Sequence, residues 1–157
     1  MFKKFIVAYD HNAQEKYIKK IKTTFEANNV DYLIIEDDDK TNDYPLQAKI
    51  CYEKFKSEQA DGIILLCGTG IGMNIVANKF DGLRAVLATS EEQAYFARRH
   101  ENANVLVFGA GYDDGIMNVR LCTRKMGRII ETFLHTEFQN EERHLRRIAQ
   151  ISDLEKN

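Results

Sequence analysis

Five short apolar runs, each followed by a stretch with helical spacing, constrain this chain more than any other feature. They are Phe5-Ile6-Val7-Ala8-Tyr9, Val30 to Ile35, Gly62 to Cys67, Leu83 to Ala88 and Val105-Leu106-Val107-Phe108. A continuous apolar run has no polar side to turn to water, so strands built from such runs need cover on both faces. Helix signals fill the intervals. Ala13 to Asn28 carries Tyr17, Ile21 and Phe25 at four-residue spacing and stops at Asn28-Asn29. Pro45, the only proline, suits a first helical turn and opens a helix that carries Ile50, Tyr52 and Phe55 to about Gln59. Ile71 to Phe80 reads as a short helix closed by Asp81-Gly82. Ser90 and Gln93 form a capping box for a helix to about Arg99. A further helix covers roughly Asp114 to Leu134, and a charged tail from Glu141 to Leu154 keeps Leu145, Ile148 and Ile151 in register. The alternation predicts one α/β domain over residues 1–157: a doubly wound, five-stranded parallel sheet with helices on both faces and a C-terminal tail helix. The tail helix has no sheet left to cover, which points to packing on a partner subunit.

A length of 157 residues suffices for one core. A net charge of −2 gives no bulk case for a nucleic-acid or membrane-surface partner. The longest apolar runs fall far short of the roughly 20 residues that span a bilayer. Met1-Phe2-Lys3-Lys4-Phe5 leads straight into a strand, without the apolar region and cleavage site of a signal peptide. Cys51, Cys67 and Cys122 are far apart, form no CxxC pair and imply no disulfide framework, so a reduced, cytoplasmic protein is expected. The acidic run Glu36-Asp37-Asp38-Asp39 reads as a solvated loop and not as a metal site.

In doubly wound sheets ligands bind at the carboxyl ends of the strands. That rule selects Asp10-His11, Cys67-Gly68-Thr69, Thr89-Ser90 and Gly109-Ala110. Cys67 ends an apolar run and is followed by Gly68-Thr69-Gly70-Ile71-Gly72 before a helical pattern begins. This order sets a thiol beside backbone N–H groups at a helix N-terminus, which can hold an anion and is expected to lower the thiol pKa. Iodoacetamide is then expected to label Cys67 ahead of Cys51 and Cys122. The competing reading of Cys67 is a small core residue, that of the loop a tight βα turn, and that of Thr69 a helix cap. The loop has neither the Gly-Lys-Ser/Thr ending of a nucleotide-binding loop nor the glycine spacing of a dinucleotide fingerprint. Asp10 and His11 fit either a capped turn or a pair that orients a hydroxyl and binds an anion. His100 ends a helix, where it either complements the dipole or does acid–base work. His135 and His144 stand in polar surroundings and carry less weight. Arg143 and Arg147 share a helix face suited to a phosphate, although Glu141, Glu142 and Arg146 make a solvated charged face the favoured pattern.

Together these pieces resemble the ribose-5-phosphate isomerase type B family, which includes the galactose-6-phosphate isomerase subunits. The resemblance rests on Asp10-His11, Asp43-Tyr44-Pro45, Cys67-Gly68-Thr69-Gly70-Ile71-Gly72 and Ala77-Asn78-Lys79. It continues through Gly82-Leu83-Arg84-Ala85, His100, Asn104-Val105-Leu106, and Arg143-His144 with Arg147. It implies a five-stranded α/β sandwich that forms homodimers or homotetramers with sites at subunit interfaces. It also implies aldose–ketose isomerisation of a sugar phosphate through a cis-enediolate, with no metal and no cofactor. Carried onto this chain, it makes Cys67 the base that moves a proton between C1 and C2. Thr69 and the N–H groups from Gly68 through Gly70 and Ile71 to Gly72 become the anion hole, and His100 the acid–base group that opens the sugar ring. Asp10 and Tyr44 are expected to hold sugar oxygens, and His11, Arg143 and Arg147 the phosphate, some of them across the dimer. Asn74 and Glu101 complete the expected substrate-binding set.

The chain departs from that pattern in three places. Glu101 stands where the family usually has asparagine, Gly109-Ala110-Gly111 lacks the arginine often found beyond the fifth strand, and Ala8-Tyr9 replaces Gly-Cys. Ribose 5-phosphate is the leading expected substrate. The alternatives are another pentose, hexose or tetrose phosphate, or a non-catalytic sugar-phosphate-binding subunit of a hetero-oligomer. A flavodoxin-like flavin or nucleotide binder shares only the sheet type and lacks its phosphate loop after the first strand.

Overall fold

The computed structural model describes residues 2–11, 13–36, 43–111 and 121–155. In chain order the elements are β1 (Lys4–Tyr9), α1 (Glu15–Ala27), β2 (Asp31–Ile35), α2 (Tyr44–Ser57), β3 (Gly62–Cys67) and α3 (Ile71–Ala77). They continue with β4 (Ala85–Leu87), α4 (Glu91–Glu101), β5 (Val105–Gly109), α5 (Thr123–His135) and α6 (Glu142–Leu154). All five strands run parallel, as the apolar runs predict, and they lie in the order β2-β1-β3-β5-β4.

Side chains alternate along each strand, and so divide the core in two. Phe5, Val7, Ile64, Leu66, Leu106 and Phe108 meet the apolar stripes of α1, α4 and α5. Ile6, Ala8, Ile63, Leu65, Cys67, Val105 and Val107 meet α2 and α3 on the other face. The predicted α1 stripe is the buried one: Tyr17, Ile21 and Phe25 all lie in the core. Full burial of such side chains contributes roughly 1.5–3 kcal/mol each. Double cover holds for the central strands β1, β3 and β5, whereas the edge strands β2 and β4 are only half-buried.

The structure corrects several boundaries. α3 ends at Ala77, before the expected Phe80, because the Asn78 side chain clamps the turn that follows. Its amide donates to the carbonyls of Asn74 and Ala85, both at 3.0 Å, and its oxygen accepts from Ala85 N–H at 2.9 Å. The helix expected from Asp114 begins, within the described residues, at Thr123; residues 112–120 lie outside them, as do Asp37, Asp38 and Asp39 of the acidic run. α6 packs on α4, yet Leu145 and Ile151 stay 48% and 38% exposed, so much of its apolar stripe is uncovered within one chain. No described helix is long and apolar enough to cross a membrane.

Candidate active site

The carboxyl ends of β1, β3 and β5 are tied together by backbone hydrogen bonds. Asp10 N–H donates to the Leu66 carbonyl at 3.1 Å, and Ala110 and Gly111 N–H donate to the Cys67 and Gly68 carbonyls at 2.8 Å. The loop after β3 is pressed onto this platform. Gly70 takes φ of 78°, and a Cβ there would stand 2.9 Å from the Phe108 carbonyl carbon and 2.5 Å from Leu87 Cδ1. Only glycine meets both demands. At Gly72 a Cβ would stand 2.7 Å from the Tyr44 ring, so the glycine admits that ring over the start of α3. Thr69 Oγ1 accepts from Ile71 N–H at 3.2 Å, and a hydroxyl that accepts in this way can still donate its own proton. Asn74 Oδ1 is buried and has no hydrogen-bond partner among the described residues.

Cys67 is 4% exposed, and Gly70 N–H donates to its Sγ at 3.2 Å. Burial pushes the thiol pKa above its ordinary value, while the N–H groups of Met73 and Gly70 pull it down. Asp10, whose carboxylate is buried alongside, adds to the upward push, and Thr69 N–H to the downward pull. The net shift is upward. This corrects the expectation of a lowered thiol: α3 is a single short helix, and its few N–H groups do not outweigh the lost solvation of the thiolate. Cys51 is fully buried and shifted upward by the same cause. Cys122 is exposed whereas Cys67 and Cys51 are buried, so accessibility reverses the expected labelling order and puts Cys122 first.

A model of the ribose/galactose isomerase family matches residues 5–151. The chain belongs to this family. It is 37% identical over 119 residues to the probable ribose-5-phosphate isomerase B of Mycoplasma genitalium, covering 75% of this chain and 72% of the relative. It is 34% identical over 114 residues to the galactose-6-phosphate isomerase subunit LacB of Clostridium acetobutylicum, covering 73% and 61%. Among solved structures, the type B ribose 5-phosphate isomerase of Leishmania infantum superposes with a TM-score of 0.86 at 33% identity, over 99% of this chain and 98% of that one. As a ribose/galactose isomerase family member, the chain is a sugar-phosphate isomerase.

Within one copy of this isomerase, the expected site residues fall into two groups. Asp10, His11, Tyr44, Cys67, Gly68, Thr69, Gly70, Ile71, Gly72 and Asn74 gather at the carboxyl ends of β1 and β3. His100 and Glu101 lie in the last turn of α4, which leads back to the amino end of β5. At 1.5 Å per helical residue, this turn lies about 15 Å from the start of α4, which follows the carboxyl end of β4. Arg143 and Arg147 are exposed on α6, which packs beside α4, and the Arg143 guanidinium pairs with Glu141 at 2.8 Å. A groove of about 950 Å³ runs along the open side of β4 between α4 and the end of α6, with Leu87, Phe96, His100, Glu101 and Ile151 on its walls.

His144 does not stand in polar surroundings, as its charged neighbours in sequence suggest. It is 3% exposed and stacks on His100 with ring centroids 4.6 Å apart and planes 12° apart. A signal for it was present: His144, Ile148 and Ile151 follow the i, i+4, i+7 spacing of one helix face. Among the described residues, no group of three or more histidine, cysteine or acidic side chains is arranged to hold a metal.

Proposed function

We propose that this isomerase interconverts ribose 5-phosphate and ribulose 5-phosphate through a cis-enediolate, with Cys67 as the base. The observation that carries the reading is the Cys67 loop, in which a buried thiol that accepts from Gly70 N–H and a threonine hydroxyl stand within a few residues. The Cys67 thiolate removes the C2 proton of the open-chain aldose, and the electron pair moves through C1–C2 onto the carbonyl oxygen. That oxygen is held by Thr69 and the N–H groups of the loop from Gly68 to Gly72. The hydroxyl proton on O2 moves to O1, and the Cys67 thiol then returns its proton to C1 as the C2 carbonyl forms, giving the ketose and restoring the thiolate. A thiolate of raised pKa is the stronger base toward a carbon acid, which suits the upward shift of Cys67. Asp10, Tyr44 and Asn74 hold sugar oxygens, and His11 reaches the phosphate.

His100, Glu101, Arg143 and Arg147 complete the site from a second copy of the chain. Their separation from Cys67 within one chain supports this division. So do the exposed Ile71 and Ile75 on α3, Phe96 on α4 and Leu145 on α6, which leave apolar faces for a homodimer, or a tetramer of such dimers, to cover. His100 then opens the furanose ring, and the two arginines grip the phosphate far from the reacting carbons. A reduced, cytoplasmic setting goes with this reading, since Cys67 works as a free thiol.

The test is conversion of ribose 5-phosphate to ketose by the purified chain. Cys67→Ala is expected to lower it by about 10²–10⁴-fold, the usual contribution of a positioned base. Full activity in that variant would remove Cys67 from the role. A second reading, isomerisation of a different aldose phosphate, is favoured by the exposed carboxylate of Glu101 beside His100. A panel of aldopentose, aldohexose and aldotetrose phosphates separates the two by relative kcat/KM.

A further inference from the structure

His144 is buried beside the proposed ring-opening group, and the reaction described above gives it no task. We infer that His144 is a positioning residue for His100: its ring stacks on the His100 imidazole and fixes the plane in which that imidazole presents its nitrogens to the sugar-ring oxygen. The inference rests on the proposed role of His100 and adds a residue to it.

The His100 ring is held on two sides. His144 lies face to face with it at 4.6 Å and 12°, and Phe96 packs against it at 5.2 Å and 45°. Phe138 meets His144 edge-to-face, at 6.5 Å and 70°. The column therefore draws on α4, on α6 and on the connection that precedes α6. The second side-chain torsion of a histidine is broad and two-fold, so an imidazole at a helix end turns freely unless neighbours hold it. His100 also lines the groove beside β4, so its ring is held by aromatic neighbours while it borders open space.

His144 works through His100 and not on substrate. Both of its ring nitrogens are buried and have no hydrogen-bond partner among the described residues. Burial, the Arg143 guanidinium and His100 itself hold its pKa below the ordinary histidine value, which favours its neutral form. A neutral aromatic face accommodates the His100 cation, whereas a second cation would repel it. Phenylalanine reproduces this face; alanine removes it.

The experiment compares wild type, His144→Ala and His144→Phe as full-length chains, with circular dichroism and Tm as controls for folding. Ribose 5-phosphate is mostly ring-closed. Ribulose 5-phosphate is open-chain, because its C5 oxygen carries the phosphate. Exchange of the ribulose 5-phosphate C1 proton with D2O therefore reports proton transfer without ring opening. His144→Ala is expected to slow isomerisation of ribose 5-phosphate about ten-fold or more while C1 exchange changes less than about two-fold, and His144→Phe to restore isomerisation. Equal loss in both assays, or loss in neither, overturns the inference. If the wild-type chain neither isomerises nor exchanges these sugars, the ribose 5-phosphate reading has failed, and the stack is judged by NMR. The upfield ring-current shift of the His100 ring protons should then persist in His144→Phe and vanish in His144→Ala; an unchanged shift in His144→Ala overturns it.

Discussion

A thiol at the end of a central strand sits under two opposing influences, the N–H groups of the following turn and the loss of water around it. At Cys67 the second is the larger, and the thiol pKa lies above its ordinary value. The protonated form then dominates at neutral pH, and the base form fills as the pH rises. kcat/KM is accordingly expected to climb with pH from neutrality, approaching ten-fold per unit, until the Cys67 pKa is passed. A pH series from 6 to 10 with ribose 5-phosphate checks this; a plateau already at pH 7 would contradict it. Sequence made the residue legible and its sign illegible for the same physical reason. Three glycines beside a strand-end cysteine are a local signal. Burial of the thiol depends on the Met73 and Ala77 face of α3 and on Ala48 and Cys51 of α2, which fold onto it from elsewhere in the chain. His144 was missed because its sequence neighbours are charged, while the neighbours that matter, His100 and Phe138, are supplied by packing.

Elements with their own local chemistry are legible in the sequence. β3 spans Gly62–Cys67, as the apolar run demands. α4 starts where the capping box predicts: Ser90 Oγ accepts from Gln93 N–H at 3.3 Å. Gln93 Oε1 reaches back to Thr89 N–H at 2.7 Å, one residue earlier than the usual pattern. Because α4 carries His100 at its far end, loss of this cap tests the coupling between helix stability and site. Ser90→Ala is expected to cost about 1 kcal/mol, read as a lower urea midpoint at unchanged m-value. What could not be read was which strands lie at the edges. An apolar run looks alike in a central strand and in an edge strand, and only the chain's later crossings insert β5 between β3 and β4.

At the scale of the molecule, the division of the proposed site between two copies yields a mixing experiment. Cys67→Ala and His100→Ala are each expected to be inactive alone. In a mixed dimer one site loses both groups and the other keeps both, so equal mixing with free exchange should restore about a quarter of wild-type activity. No recovery on mixing would place the whole site within one chain. The sheet itself says how such copies can meet. Both of its borders are poor templates for another strand: β4 spans only Ala85–Leu87, and β2 opens on an exposed aspartate, Asp31. Copies assembled as proposed are expected to join through the side chains of helices and not by extending the sheet. In the proposed assembly a subunit leaves and rejoins with its backbone ladder intact, and each copy is a finished fold holding two unmatched halves of the proposed catalyst.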